Sequence, residues 1–336
     1  MDKLYVDLLL NELKPKDGQS KPLAIKASNS KKYILKNQWV NTPDKGLINE
    51  NAVFMQEMFV NQLALALGIP VPNFAILNIE QEFIDENKEY LFSYRLKPGL
   101  YFGTEFIPNV EDSLENIYYL EKQQGKAYAI RTWNSYYKNV TNPEVYADII
   151  ALDCLTLNGD RFTNQGNILI AKDEKERRKV FAIDFGHCFS GPTWDKNKIQ
   201  LFNFIINNDN SDKIIEQLTQ ALTDNYSFND GKMISSPGRV FKSMSNALSF
   251  NNGNPFQSIV SKIESLSQTE INKMLYNIPN EWITGSDMQR HLYSEFIQAN
   301  KCNVRYVLNL MNSLNLFENN KGGSLIWLKD NLSGIR

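Results

Sequence analysis

The sequence predicts an α+β chain of two lobes, a small β-rich one over residues 1–107 and a larger, mainly helical one over residues 108–336. Three observations carry this. Short strand-like runs bounded by turn residues crowd the first third of the chain. Helix-period patterns dominate from about Pro108 onward, and a single β segment between Asn167 and Asp184 interrupts them. With 336 residues, 42% apolar and 22% charged, the chain is long enough for a full-sized core and too apolar for wholesale disorder.

Taken in order, the first run, Leu4 to Leu10, is too short and too interrupted for a signal peptide, and no apolar stretch reaches the length of a membrane span. A soluble, cytoplasmic protein with no membrane partner is expected. Leu23-Ala24-Ile25-Lys26 and Tyr33-Ile34-Leu35-Lys36 read as strands around the turn residues Ser28-Asn29-Ser30. A helix follows from about Asn51 to Leu67, with Met55, Phe59, Leu63, Ala66 and Leu67 on one face, and Gly68, Pro70 and Pro72 stop it. Leu91-Phe92-Ser93-Tyr94 and the stretch from Tyr101 to Ile107 read as further strands. Beyond Asp212 the pattern is amphipathic and helical, with Asn-, Ser- and Gly-rich loops between residues 225 and 254.

Lysine plus arginine is 36 against 38 aspartate plus glutamate, a net charge of −2, so no direct nucleic-acid partner is expected. The three cysteines, Cys154, Cys188 and Cys302, are scattered and form no CxxC pair, which excludes a structural zinc site and fits a reducing compartment.

The chemistry concentrates between Asn158 and His187. Asn167 to Ala171 and Val180 to Asp184 are strand-like runs joined by the charged stretch 172–179, so they should pair as an antiparallel hairpin. That pairing brings Asn167 and Asp184 together at one mouth. An amide oxygen and a carboxylate there suit Mg²⁺, which takes one or two protein oxygens and completes its shell with phosphate and water. Asp160, in the preceding Asn158-Gly159-Asp160-Arg161 loop, would overhang the same mouth, where a carboxylate can accept a hydroxyl proton. These are the parts of a phosphoryl-transfer site. Such chemistry also needs a strand lysine for the nucleotide phosphates and a helix glutamate to orient it. Lys36 and Glu57 stand in the right order. Gly18 and Ser20, in Gly18-Gln19-Ser20-Lys21-Pro22, could cover the phosphates.

In these segments the chain resembles the HipA-like kinases, a bacterial branch of the protein-kinase-like fold that is also similar to phosphatidylinositol kinases. The resemblance extends to Leu67-Gly68-Ile69-Pro70-Val71-Pro72, to Gly99-Leu100-Tyr101-Phe102-Gly103-Thr104, to Ile183-Asp184-Phe185-Gly186-His187 and to Ile278-Pro279-Asn280-Glu281-Trp282. It implies a bilobal protein-kinase-like fold and an ATP- and Mg²⁺-dependent kinase acting on a Ser or Thr hydroxyl of a protein substrate. It further implies Lys36 as the phosphate-holding lysine, Glu57 as its partner, Asp160 as the base, and Asn167 and Asp184 as metal ligands. Asn164 is the alternative ligand, because the family's asparagine five residues after the aspartate is here Gln165. Glu105-Phe106-Ile107 would be the adenine-binding hinge. Phe162 stands where phosphatidylinositol kinases carry histidine, which excludes a mechanism using one there. His187 would contact phosphate or cap its loop.

Other readings are a kinase for a small-molecule or lipid hydroxyl and a nucleotide-binding pseudokinase scaffold. A regulatory or antitoxin partner, if one exists, would be a separate protein. Ser20, Ser28 and Ser30, in turns near the phosphate site, are candidates for autophosphorylation.

Overall fold

The computed structural model describes residues 3–11, 22–42, 46–91, 94–111, 123–126, 135–208, 212–223, 228–229, 232–233 and 237–328. Five strands of the first lobe close into a small barrel: β1 (Lys3–Leu9), β2 (Leu23–Ala27), β3 (Lys32–Leu35), β6 (Phe74–Ile79) and β7 (Gly99–Glu105), in the order β1-β2-β3-β7-β6. All pairings are antiparallel except β1 with β6, the parallel pair that closes the ring. Closure removes the free edges that an open sheet of this size would leave. Ile25, Leu35 and Leu77 fill the interior. Gly103 is required there by close approach, since a Cβ would stand 2.3 Å from the Leu77 Cδ1.

Between β3 and β6 lie a two-stranded hairpin, β4 (Trp39–Thr42) with β5 (Gly46–Asn49), and the helix α1 (Val53–Leu67). The expected strands around Ser28–Ser30 form as β2 and β3, although β3 ends at Leu35. Lys36 lies one residue beyond it, with its N–H still bonded to the Phe102 carbonyl at 2.9 Å. Leu91 corrects the expectation of a strand. It ends the short helix α3 (Lys88–Leu91), which follows α2 (Gln81–Glu86), while Phe92 and Ser93 lie outside the described residues. Leu91 and Phe83 pack into the barrel core. A four-residue apolar run has no period long enough to separate strand from helix, and packing against the barrel decides it.

α1 is buried on far more than one face, from Val53 through Asn61 without a break. Its apolar side chains join the large core of the second lobe and not the barrel core. Gly68, left-handed at φ 82°, ends the helix, and the Ile69 N–H returns to the Ala64 carbonyl at 2.8 Å. The second lobe reaches back to the first through Lys262 Nζ on the Leu67 carbonyl and Trp282 Nε1 on the Leu100 carbonyl, each 3.0 Å.

The second lobe is organised around α4 (Val145–Thr156), which is buried on nearly every face. Its terminal carbonyls are satisfied by Asn300, whose amide donates to the carbonyls of Cys154 and Leu155 at 3.1 and 2.8 Å. After α4 come the single turn α5 (Asp160–Thr163), a 3₁₀ turn at Gln165–Asn167, and the hairpin β8 (Ile168–Lys172) with β9 (Arg178–Ala182). The expected hairpin forms, but one residue out of the expected register: Ile168 lies opposite Ala182 and Ile170 opposite Val180, so Ile183 and not Asp184 stands across from Asn167. Its strands run further into the charged connection than expected, as far as the Lys172–Arg178 pair. The remaining α-helices among the described residues are α6 (Lys196–Ile206), α7 (Asp212–Leu222), α8 (Arg239–Ala247), α9 (Gln257–Ser265), α10 (Gln268–Tyr276), α11 (Ser286–Asn300) and α12 (Val304–Ser313). Residues 228–229 and 232–233, in the expected loop region, pair as a short β10–β11 ladder. No helix among the described residues is long and apolar enough to cross a membrane.

Candidate active site

Lys36, Glu57 and Asp184 meet between the lobes. Lys36 Nζ lies 3.2 Å from Glu57 Oε1 and 2.9 Å from Asp184 Oδ1. Lys36 is brought there by the backbone bond to Phe102, Glu57 by α1, and Asp184 by the exit of β9 in a left-handed conformation at φ 62°. Glu57 is fully buried, whereas the Asp184 side chain is 38% exposed. Burial pushes the Glu57 carboxyl up, and Lys36 only partly pulls it back. At Asp184 burial acts in the same upward sense. There the Lys36 charge and hydrogen bond outweigh it and hold the carboxyl below its ordinary range. For Lys36 burial is likewise the largest influence and lowers it, but the two carboxylates together raise it.

The hairpin mouth completes the group. The Ile183 N–H bonds the Asn167 carbonyl at 3.2 Å, which places Asn167 beside the exit to Asp184. Asn167 Nδ2 donates to Asp160 Oδ2 at 2.5 Å. Its Oδ1 is buried and has no hydrogen-bond partner among the described residues. The Asn164 Oδ1, by contrast, accepts the Gly166 N–H at 2.9 Å and caps the 3₁₀ turn. Asp160 opens α5 and is half-buried. The preceding Gly159 is forced by close approach, because a Cβ would stand 2.7 Å from the Leu222 carbonyl oxygen.

Arg161 was visible in the sequence motif, but its task was not. It is fully buried, with Nε on Asp153 at 3.0 and 3.1 Å and Nη1 on the carbonyls of Asn167 and Ile183, the latter at 2.7 Å. Its guanidinium also covers the Phe185 ring at 4.9 Å. One side chain therefore binds both strands of the mouth and the loop that carries Asp160. Burial pushes the Asp153 carboxyl up to about 6 against the pull of Arg161.

His187 Nε2 stands 3.7 Å from the buried Glu50. Burial lowers the His187 pKa, but the nearby Glu50 carboxylate, with Asp160 and Asp184, raises it overall. Neither Arg161–Asp153 nor His187–Glu50 carries a spacing that announces the contact. Only the adjacency of Arg161 and His187 to aspartates could have drawn attention to them.

The expected hinge residues bond to neither Lys36 nor Asp184 among the described residues. Glu105, Phe106 and Ile107 leave β7 half-buried, and Glu105 accepts from Lys31 Nζ and Asn73 Nδ2, each at 3.0 Å. The Glu105 and Phe106 N–H groups donate to the carbonyls of Asn73 and Lys32, at 2.6 and 2.9 Å. Base reading through the N–H groups of Glu105 and Phe106 is therefore not available in this conformation. Gly18 and Ser20 lie outside the described residues. Ser28 and Ser30 sit in the turn at the far end of β3 from Lys36, not beside it, and the Ser28 hydroxyl accepts the Tyr5 N–H at 3.1 Å.

A β-barrel lobe and a helical lobe, with a charged cluster between them, define a kinase-type fold. The profile of the HipA-like kinase family matches residues 12–226, and the chain belongs to that family. No curated protein sequence matches it. Among solved structures it is similar to the Helicobacter pylori proinflammatory kinase CtkA, at 14% identity and a TM-score of 0.52, over 90% of this chain and 96% of that one. The Golgi casein kinase with Mn/ADP bound aligns at 13% identity and a TM-score of 0.37, over 95% and 74% of the two chains. A MAP kinase of Leishmania major aligns at 13% and 0.21, over 95% and 86%. The likeness to CtkA establishes the bilobal α+β fold, and the family membership establishes a kinase.

Proposed function

We propose that this kinase uses ATP and Mg²⁺ and transfers the γ-phosphate of ATP to a Ser or Thr hydroxyl of a protein. The observation that carries the reading is the Asn167 amide. Its nitrogen is spent on Asp160 and its buried oxygen is left without a partner, at the mouth that Asp184 shares. A buried acceptor is seldom left unmet, and an amide oxygen beside a carboxylate fits a hard divalent cation. The charge balance agrees, since one ammonium, Lys36, is shared by two carboxylates, with Asp160 close by.

Asn167 Oδ1 and Asp184 would hold the cation, with Asn164 the weaker candidate because its oxygen already caps a turn. Bound there, Mg²⁺ would offset the charge of the phosphates. Lys36, oriented by Glu57, would hold the α- and β-phosphates. Asp160, fixed by Asn167, would orient the acceptor hydroxyl and take its proton on the free carboxylate oxygen. The hydroxyl oxygen then bonds to the γ-phosphorus as the bond to the β-phosphate oxygen breaks, releasing ADP. The Phe106 carbonyl and the backbone of Ile107 are the groups left to meet the adenine.

The test is transfer of labelled γ-phosphate with Mg²⁺, alone and with a basic protein substrate. Asp160→Asn should lower transfer by roughly 10²- to 10⁴-fold, and Asp184→Asn should lose transfer at ordinary Mg²⁺ and raise the Mg²⁺ requirement of whatever remains. Transfer only to a lipid or small molecule would replace the acceptor. Nucleotide binding without transfer in the unmodified protein would leave a scaffold.

A further inference from the structure

Gln56 and Glu57 are consecutive on α1, and together they take both backbone polar groups of Gly186. Glu57 Oε1 accepts the Gly186 N–H at 3.2 Å, and Gln56 Nε2 donates to the Gly186 carbonyl at 2.5 Å. The same Nε2 reaches the Gly191 carbonyl at 3.1 Å. The other amide atom, Gln56 Oε1, accepts from Lys198 Nζ on α6 and from the Tyr293 hydroxyl on α11, each at 2.6 Å. Lys198 Nζ closes the circuit on the Gly191 carbonyl. Gln56 thus uses two donor and two acceptor positions, the whole capacity of an amide. It does so with no solvent exposure, and Lys198 and Tyr293 are buried with it.

What this network holds is a strained piece of chain. Asp184, Phe189 and Ser190 are all left-handed, at φ 62°, 59° and 59°. That conformation is costly for any residue with a Cβ and persists only where the surroundings over-determine it. Gly186 approaches α1 so closely that a Cβ would stand 3.0 Å from Val53 Cγ1. Phe189 is packed edge-on against Tyr293, with ring centroids 4.7 Å apart. Burial pulls the Lys198 ammonium down to about 7, with Cys188 and Asp195 pulling the other way. A cation kept at such a place is held by its acceptors.

We propose that Gln56, with Lys198 and Tyr293, is a positioning device for Asp184. It fixes the strained Asp184–Gly191 segment to α1 on one side and to α6 and α11 on the other. Lys36, Glu57 and Asp184 are thereby in register before nucleotide arrives. Gln56 and Lys198 touch neither phosphate nor acceptor, so they act through the backbone of Gly186 and Gly191. The inference rests on the kinase reading of the site.

The test compares the full chain with Gln56→Leu and Lys198→Met by two measurements. One is amide hydrogen exchange over residues 185–191 without ligand, and the other is the Mg²⁺ concentration that half-saturates phosphate transfer. Gln56→Leu should exchange faster in that segment and need roughly 10- to 100-fold more Mg²⁺, as removal of an outer partner of a metal ligand does. High Mg²⁺ should recover much of kcat. Lys198→Met should shift both readouts in the same direction by less, and it decides the matter if Gln56→Leu does not fold. Folded variants with unchanged exchange and unchanged Mg²⁺ dependence would overturn the positioning role and leave the kinase reading standing. An unmodified protein that neither binds nucleotide with Mg²⁺ nor transfers phosphate would overturn both.

Discussion

Two ion-paired groups lie close to each other in this molecule and differ in nearly every respect. Arg161 and Asp153 are both at 0% exposure, one cation to one carboxylate, with the remaining guanidinium contacts going to backbone carbonyls. Lys36 is shared between Glu57 and Asp184, and the Asp184 side chain opens to 38% exposure. The first group is closed to solvent and its charges balance one to one, although the buried Arg161 Nη2 has no hydrogen-bond partner among the described residues. The second has an excess of negative charge and an open side, which is what a site for a metal–phosphate ligand requires. Burial alone therefore does not separate architecture from function here. Charge balance and access do.

The sharpest way to break the comparison is at the closed pair. Arg161→Met strands the Asp153 carboxylate and takes the guanidinium away from the Asn167 and Ile183 carbonyls, so denaturant unfolding should show a loss of about 3–5 kcal/mol. A loss near that at Asp184→Asn would erase the distinction. Lys36→Met should be milder, about 1–3 kcal/mol, because the Lys36 and Asp184 side chains reach solvent, at 13% and 38% exposure, and water can replace part of what is lost. The paired change Lys36→Met with Glu57→Gln should restore most of the stability while transfer stays lost, as calorimetry beside the label assay would show. Gly186→Ala should cost about 1–2 kcal/mol through contact with Val53 Cγ1, and less when Val53→Ala accompanies it. A fully additive pair in thermal unfolding would count against the close approach.

The smallest effect is the pH dependence at His187. Its folded pKa is raised, so the folded chain holds the proton more tightly than the unfolded one. The resulting stability is fully present below the unfolded value near 6.5 and fades as pH rises through the folded value. Melting temperatures of the unmodified protein and His187→Gln should diverge below pH 6.5 and converge above the folded value. Parallel curves would show that Glu50 does not hold the proton.

Parts of this were legible in the residue order. The Asn167/Asp184 mouth followed from two apolar runs flanking a charged connection, because strand pairing is a local consequence of alternation and turn chemistry. The order Lys36, Glu57, Asp160, Asp184 was readable as well, and the HipA-like resemblance it carried is confirmed as family membership. The Leu91 stretch misled because four apolar residues have no diagnostic period. β4 and β5 passed unnoticed because Trp39–Thr42 and Gly46–Asn49 hold few buried side chains.

By itself, then, the sequence determined the elements with a local cause: the helix ended by Gly68, the hairpin between residues 168 and 182, and the identity of the charged residues available to a site. Tertiary structure alone decided that α1 belongs to the core of the second lobe, that Arg161 ties the mouth to Asp153, and that Gln56 faces Lys198 and Tyr293 from far along the chain. The reason is physical. A hydrogen bond or ion pair between distant residues leaves no period in the sequence, and its geometry exists only once the apolar faces around it have packed.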